Sequence, residues 1–270
     1  MTRTRFRISA LVAAALLAGC STPAPPLFGK TTYVGQASSS PGWGFKDQAG
    51  YNTGFDFDLA NWLGDQLGFT SVPVDVLASN RESQLQNGLV NLVVATYSIT
   101  DPRREKVDFA GPYMVSHQGV MVRSEDRDSY HKAADLLGKS VCVTTGSTSE
   151  KQVTADLGVQ VTIRQVSTYE ECRTLLREGK VDALSTDQLI LYGIQHLDKE
   201  VHVPPDIVFG QEERYGIGLP KGSRAKCEAV RAKIVKFISD GTWYTLFKQN
   251  LPDVPVGDHK PDPSQLDPCV

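Results

Sequence analysis

Thr96-Tyr97-Ser98-Ile99-Thr100-Asp101-Pro102-Arg103-Arg104-Glu105-Lys106-Val107-Asp108-Phe109-Ala110-Gly111-Pro112-Tyr113 is the stretch from which the rest of the chain can be read. It follows Leu92-Val93-Val94-Ala95, an apolar run of strand length suited to burial on both faces. The hydroxyl residues Thr96, Ser98 and Thr100 sit where that strand ends, and Asp101-Pro102 forces a turn. Arg103 follows within reach. Hydroxyls, free backbone N–H groups and a guanidinium at the C-terminal end of a strand suit a bidentate contact to a carboxylate. In open α/β sheets that edge is where ligands bind. Taken alone, the same residues also describe a surface loop in which Arg103 pairs with Asp101 or Glu105.

Upstream, Thr31 to Gly35 reads as the first strand, and Ser38 to Tyr51 as a Gly-, Ser- and Pro-rich loop carrying Trp43 and Phe45. Gly54-Phe55-Asp56-Phe57-Asp58-Leu59-Ala60 opens a helix with apolar positions at Phe55, Leu59, Trp62, Leu63 and Leu67, ending at Gly68. Asp56 and Asp58 fall in its first turn, where the helix dipole favours acids, and are expected to be solvated. Val72 to Leu77 is a second strand, Arg81 to Gly88 a short helix, and Val90 to Ala95 the strand feeding the opening stretch. Strand, helix, strand, helix, strand is a parallel doubly wound unit.

Downstream, Tyr113 to Arg123 runs extended, with Gly119 to Val122 as the passage to a second lobe. There the pattern repeats: a strand at Lys139 to Thr144, then Gly146-Ser147-Thr148 leading into a helix near Ser149. A strand at Val161 to Val166, a helix at Thr168 to Gly179, and a strand at Val181 to Leu184 ending in Ser185-Thr186-Asp187 come next, with a helix from Gln188. Val201 to Phe209 leads back, and Tyr215 to Leu219 reads as a strand of the first lobe. Helices at Ala225 to Asp240 and Thr242 to Asn250 finish that lobe, and the Pro- and Asp-rich tail Leu251 to Val270 is expected to be irregular. Gly146-Ser147-Thr148 offers either an N-cap or backbone N–H groups for an anion. Asp187, at a strand end in an uncharged stretch, is either a cap or a charged ligand group.

The 270 residues, 40% hydrophobic, provide ample core for one large or two modest domains, and a formal charge of -3 with mixed signs excludes a nucleic-acid surface. Arg3, Arg5 and Arg7 followed by apolar Ile8 to Leu17 form a signal peptide rather than a span. Leu17-Ala18-Gly19-Cys20 resembles a bacterial lipobox, so residues 1–19 are expected to be removed and Cys20 lipidated, with 20–30 as a tether. Cys142, Cys172, Cys227 and Cys269 remain, an even number in an oxidising compartment and compatible with three connectivities. The expected pairs are Cys142 with Cys172 and Cys227 with Cys269. No metal site accompanies them, since C-x-x-C and clustered His are lacking.

Ser98-Ile99-Thr100-x-x-Arg103 followed by Val107-Asp108-Phe109-Ala110-x-Pro112-Tyr113 resembles the polar amino-acid family of bacterial extracellular solute-binding proteins, family 3. Gly54-Phe55-Asp56-x-Asp58-Leu59 is a signature of the same family, with Phe57 bulkier than the aliphatic residue usual there. The resemblance runs from about Thr31 to Leu251. Ala95-Thr96-Tyr97-Ser98-Ile99-Thr100, Val141 to Thr148 and Ser185-Thr186-Asp187-Gln188 look most like glutamate-binding lipoproteins of Gram-positive ABC importers. The resemblance implies an α/β, two-lobed, type II periplasmic-binding-protein-like fold, each lobe a doubly wound, mainly parallel sheet. Lobe 1 would be 31–117 and 213–250, lobe 2 118–212, and the tail 251–270.

By that resemblance Arg103 clamps the ligand α-carboxylate and Asp187 pairs with its α-ammonium, from opposite lobes. Ala95, Thr96, Ser98, Ser147 and Thr148 complete the site, and Trp43 or Phe45 forms an aromatic wall where the residues alone would equally serve as core. A glutamate γ-carboxylate needs a cation. Arg81, at the edge after the second strand, is ranked before Lys46, although Arg81 also reads as an exposed residue paired with Glu82 or Asp75. The implied protein is a monomeric, cofactor-free receptor, lipid-anchored at the extracellular face of the membrane and serving ABC permease subunits. Its rivals are a glutamine- or asparagine-type receptor, a sensor for a membrane signalling partner, and a cyclohexadienyl-dehydratase-like enzyme with Glu150 or Glu212 as its acid. Hydrolase motifs are missing, and the five His residues are scattered.

Overall fold

The computed structural model describes residues 26–270. The expected signal peptide, the lipidation site Cys20 and most of the tether lie outside the described residues. In chain order the structure begins with β1 (Thr31–Gln36), the short strands β2 (Ser39–Ser40), β3 (Gly44–Lys46) and β4 (Asn52–Thr53), then α1 (Phe55–Leu67) and β5 (Thr70–Asp75). It continues through α2 (Arg81–Gln86), β6 (Leu92–Val93) and the single turn α3 (Asp101–Arg104). After β7 (Val107–Arg123) come β8 (Ser140–Thr144), α4 (Ser149–Ala155), β9 (Thr162–Val166), α5 (Tyr169–Arg177), β10 (Ala183–Asp187), α6 (Gln188–Leu197) and β11 (Val201–His202). β12 (Val208–Pro220) returns, and α7 (Arg224–Ser239) and α8 (Thr242–Asn250) close the fold.

Nine strands form one mixed sheet in the order β5-β1-β6-β12-β7-β10-β8-β9, with β11 on β7. The pairs β1–β5, β1–β6, β8–β9 and β8–β10 are parallel, as a strand-helix-strand reading requires. β7 and β12 lie antiparallel to each other between the two parallel halves. Two expected pieces are longer than their sequence signals. The strand expected to start at Tyr113 begins at Val107, and the separate segments expected at 201–209 and 215–219 are mostly one strand, β12. The reason is pairing: β12 runs beside β7 through both halves, with register shifts between Phe209 and Glu213 and between Tyr215 and Ile217. Such irregularities add twist and re-aim side chains.

The helical period of α1 does what it predicts, burying Phe55, Leu59 and Leu63, and the helix ends at Gly68 in the left-handed conformation. Phe55 sits edge-on to Phe237 of α7 and Trp243 of α8. Burying side chains of this size stabilises by about 1.5–3 kcal/mol each. Gly54, before α1, has φ 119°, and an added Cβ would lie 2.1 Å from the Trp43 carbonyl oxygen. Only glycine lets these two backbones meet there.

The tail is irregular apart from one turn at Pro263–Gln265, yet it is held in place. The His259 carbonyl accepts from Val115 N–H at 3.0 Å and the Gly111 carbonyl from Asp267 N–H at 2.8 Å. The Asp267 carboxylate pairs with Arg104 and Arg214. Its composition announced polarity but not these distant partners.

Cys142–Cys172 ties β8 to α5, and Cys227–Cys269 ties α7 to the tail across a separation of 42 residues. The double substitution Cys227→Ala, Cys269→Ala should lower unfolding stability by about 2–4 kcal/mol. The midpoint of urea unfolding measures it, and an unchanged midpoint would refute this role for the tail bridge.

A candidate ligand site between the two lobes

Thr96 is the only non-glycine residue with positive φ (41°) among the described residues. What holds it is Asp56. The Asp56 carboxylate accepts from Thr96 N–H at 2.8 Å and from the Tyr113 hydroxyl at 2.6 Å. Asp56 was expected to be solvated in the first turn of α1, and it is instead buried. The helix dipole places an acid at that end but does not say which way the carboxylate points; Tyr113, 57 residues away, decides it. Burial raises the Asp56 carboxyl to about 6, against the lowering effects of Tyr113, Thr96 and Arg81.

With Thr96 so fixed, the strand end turns its carbonyls toward two arginines. Arg81 Nη1 donates to the Ala95 carbonyl at 2.9 Å, and Arg103 Nη1 donates to the Ser98 carbonyl at 2.8 Å. Both guanidiniums lie over the Tyr97 ring, at 4.3 and 5.0 Å. Arg103 has Glu82 as its acidic neighbour at 3.6 Å, not Asp101 or Glu105. Burial, with the Arg81 charge second, lowers the Arg103 guanidinium to about 10. Arg81 is 5% exposed, which rules out the reading of an exposed Arg paired with Glu82 or Asp75.

Both arginines reach the other lobe. Arg103 Nη2 donates to the Gly146 carbonyl at 2.8 Å, and Arg81 Nη2 to the same oxygen at 3.4 Å. Gly146 has φ 82°, and an added Cβ would lie 2.5 Å from Ser79 Cα. Backbone meets backbone across the cleft, so only glycine fits.

Asp187 is the N-cap residue of α6 but makes no side-chain cap bond, so the capping alternative fails. Its carboxylate instead accepts from the Tyr215 hydroxyl at 2.5 Å and from Gln118 Nε2. Burial first, then the Glu213 charge, raises its carboxyl well above the usual carboxylate range. Tyr169 packs nearby; its hydroxyl accepts from Thr186 Oγ1 at 3.1 Å.

A narrow cavity of about 30 Å³ between the lobes is lined by Ala95, Thr96 and Arg81 on one side and by Thr144, Thr168 and Tyr169 on the other. Ser98, Arg103, Ser147, Thr148 and Asp187 do not line it. The Ser147 hydroxyl donates to the Thr144 carbonyl at 2.7 Å within its own loop, and the Thr148 hydroxyl donates to Glu213. Trp43 fills the core: it is fully buried, donates to the Leu189 carbonyl at 3.1 Å and packs edge-on to Tyr215. Phe45 lines neighbouring grooves, and the aromatic residue in the cavity wall is Tyr169. Lys46 is exposed at the end of β3 and away from the cavity. Of the acids weighed for an enzyme, Glu150 and Glu212 are exposed, whereas the next residue, Glu213, is buried.

Arginines from one lobe, a buried acid in the other and hydroxyls between them can hold a small zwitterion by opposite charges. Residues 33–253 match the family described as bacterial extracellular solute-binding proteins, family 3. The chain belongs to that family. It is 33% identical to the glutamate-binding protein GluB of Corynebacterium glutamicum, covering 92% of each chain, and 31% identical to the glutamine-binding protein GlnH of Bacillus subtilis, covering 75% of this chain and 74% of that one. Among solved structures it is similar to an ancestral arginine-binding protein bound to glutamine, with 31% identity, a TM-score of 0.74, and 82% of this chain and 98% of that one covered. A second is an ancestral amino acid-binding protein that is a precursor of cyclohexadienyl dehydratase, with 28% identity, a TM-score of 0.75, and 82% and 96% covered.

Asp56, Gln118, Tyr169, Glu213 and Tyr215 went unnoticed as site residues. For Asp56, the family signature around Gly54 was the available signal. For Glu213, period-two alternation with Tyr215 along β12 would have placed both on one face, had that strand been read as continuous.

Because its folded-state value lies above the ordinary 3.8, Asp56 costs stability progressively as pH rises from about 4 to 6. A shift of this size corresponds to roughly 3 kcal/mol. Asp56→Asn should therefore flatten the fall in stability across that window, read as urea midpoints at pH 4, 5, 6 and 7. Parallel curves for the two proteins would show that Asp56 titrates as in water.

Proposed function

We propose that this chain is the receptor of an ABC importer, lipid-anchored through Cys20 at the extracellular face of the membrane, which closes as a monomer on an L-amino acid, with glutamate preferred. The observation that carries the reading is the meeting of Arg81 and Arg103 from one lobe at the Gly146 carbonyl of the other, with buried Asp187 in that second lobe. In this reading Arg103 takes the α-carboxylate and Asp187 the α-ammonium, so each ligand charge has a partner in a cleft that excludes water. Ala95, Thr96 and Ser98 position the arginines through their carbonyls, while the buried hydroxyl of Thr144, which lines the cavity and has no hydrogen-bond partner, is placed to meet a ligand oxygen. Ser147 and Thr148 shape the loop that closes on it. Arg81, which lines the cavity, takes the γ-carboxylate. The similarity to glutamate- and glutamine-binding relatives supports an amino acid of this size.

One observation speaks to an enzyme: a buried Glu, Glu213, belongs to the same cluster. Its Oε1 accepts from Thr148, Gln152 and Gln118, which holds the side chain in one orientation within the protein's own network. Incubation with prephenate or arogenate should give no turnover; product formation would overturn the receptor reading.

Calorimetry of the ligand-stripped mature domain against glutamate, glutamine, aspartate, asparagine and arginine should find glutamate tightest, and a uniform absence of binding would end the proposal. Arg103→Ala or Asp187→Ala strands a ligand charge in the closed cleft, costing about 3–5 kcal/mol of binding. Near-native affinity in a folded Arg103→Ala protein would remove that assignment.

Arg81→Met separates the side-chain subsite from the zwitterion subsite. Glutamate should weaken far more than glutamine. Equal losses for the two ligands would put the side-chain pocket elsewhere.

A further inference from the structure

Strand alternation along β12 puts Glu213 and Tyr215 on one face, while Arg214 turns away to Asp267. Glu213 pairs in register with Ser116 of β7, where the chain crosses between lobes. It is 2% exposed. Thr148 Oγ1, Gln152 Nε2 and Gln118 Nε2 all donate to its Oε1, and among the described residues no group donates to its Oε2. Gln118, itself fully buried, bridges the two acids, with its Nε2 donating to Asp187 Oδ1 and Glu213 Oε1. Flipping that amide would set its carbonyl against two carboxylates, so the orientation follows from the network. Gln118 Oε1 is then a buried acceptor with no donor. Native interiors rarely leave such atoms unpaired without a functional reason.

Gln118 Oε1, without a donor, thus stands beside two carboxylates, Glu213 with no donor to its Oε2 and Asp187 with one neutral donor on each oxygen. Thr148 adds another acceptor, since its hydroxyl proton is spent on Glu213 and only lone pairs remain. A primary ammonium has three N–H donors and a positive charge that relieves two adjacent buried carboxylates. We propose that Glu213 is a second carboxylate for the ligand ammonium, sharing it with Asp187 and the Gln118 carbonyl, and that it thereby restricts the site to primary amino acids. The inference rests on the amino-acid-receptor reading. The charged groups acting on the pair are Arg81 and Arg103, and the neutral hydroxyls of Tyr215 and Tyr169 lie beside it.

The test titrates wild type and Glu213→Gln, as full mature proteins, with glutamate and its des-amino counterpart glutarate, and with glutamine and glutaramate. If Glu213 holds the ammonium, the variant binds both amino acids at least tenfold more weakly and binds glutarate and glutaramate as well as wild type or better. A strut that merely pins α4 to β12 would lose all four ligands alike, and that result, or unchanged amino-acid affinity, overturns the proposal. Where glutarate binds too weakly to titrate, the preference for glutamate over N-methylglutamate decides: it falls at least tenfold in the variant if an N–H is shared, and an unchanged preference refutes the sharing. Glu213→Asp keeps the charge but withdraws it by one methylene; it provides an intermediate ratio if the Gln variant fails to fold, and a wild-type ratio there also counts against the proposal. Wild-type protein that binds neither glutamate nor glutamine removes the receptor reading itself, a failure distinct from amino-acid binding that ignores Glu213.

Discussion

The antiparallel ladder between Val107–Arg123 and Val208–Pro220 carries backbone hydrogen bonds from one half of the sheet into the other, and the site is arranged around it. A strand pair is stiff along its length but twists readily, and twist is concentrated where the register slips. Here the slips bracket Glu213 and Tyr215. From this crossing Gln118, Glu213 and Tyr215 project toward Asp187. In the proposed reading it would serve as both the pivot of closure and the floor of the cleft, with Arg81 and Arg103 at the edge that closes.

The two arginines carry more positive charge than the one carboxylate paired with them, Glu82 at 3.6 Å from Arg103, offsets. Two buried guanidiniums over one tyrosine ring repel each other, and the Gly146 carbonyl that both approach is a neutral acceptor. Charge-assisted hydrogen bonds are roughly twice as strong as neutral ones. A carboxylate entering the cleft would therefore displace the carbonyl as the preferred partner without any loss of hydrogen-bond count. The same geometry explains why the loop must be glycine at Gly146: the carbonyl reaches the arginines only if the backbone comes within contact of Ser79. In the proposed reading, affinity and closure would be coupled through this one peptide group.

Much of this was legible in the sequence where the signal was local. The apolar run before Thr96, the Asp101-Pro102 turn and the period of α1 each depend on neighbours within a few residues, and each corresponds to an observed element. The Cys142–Cys172 pair matched expectation because it joins a strand and a helix that the sequence reading had already brought near one another, whereas Cys227–Cys269 follows as the remaining pair, its tail partner lying outside any predicted element. What escaped was set by distant partners. Asp56 is buried by a tyrosine 57 residues away, Gln118 touches Asp187 at a separation of 69, and the tail is tied at Asp267 to Arg104 and Arg214. An acid in a first helical turn looks the same on paper whether water or a phenol faces it. Trp43 shows the converse: an aromatic in a glycine-rich loop suits a ligand wall, but its indole N–H was claimed by Leu189, and its ring by Phe55 and Tyr215.

The charges of the cleft bear on how sharply a receptor of this design can choose. Arg81 already has the Ala95 and Gly146 carbonyls as acceptors. A ligand with a second carboxylate would improve its partnership, but a ligand with an amide in that place would not leave the guanidinium bare. The penalty for the wrong side chain is then the difference between a charged and a neutral acceptor, not the full cost of an unpaired buried charge, which is several kcal/mol. On the ammonium side no such fallback exists. In the proposed site Gln118 Oε1 is buried without a donor beside the Asp187 and Glu213 carboxylates, so a ligand without an ammonium would leave acceptors of one sign crowded together. If the proposed assignments hold, such a cleft would discriminate strongly for the amino-acid backbone and more gently among side chains of one length, in keeping with the glutamate- and glutamine-binding proteins among the relatives it resembles.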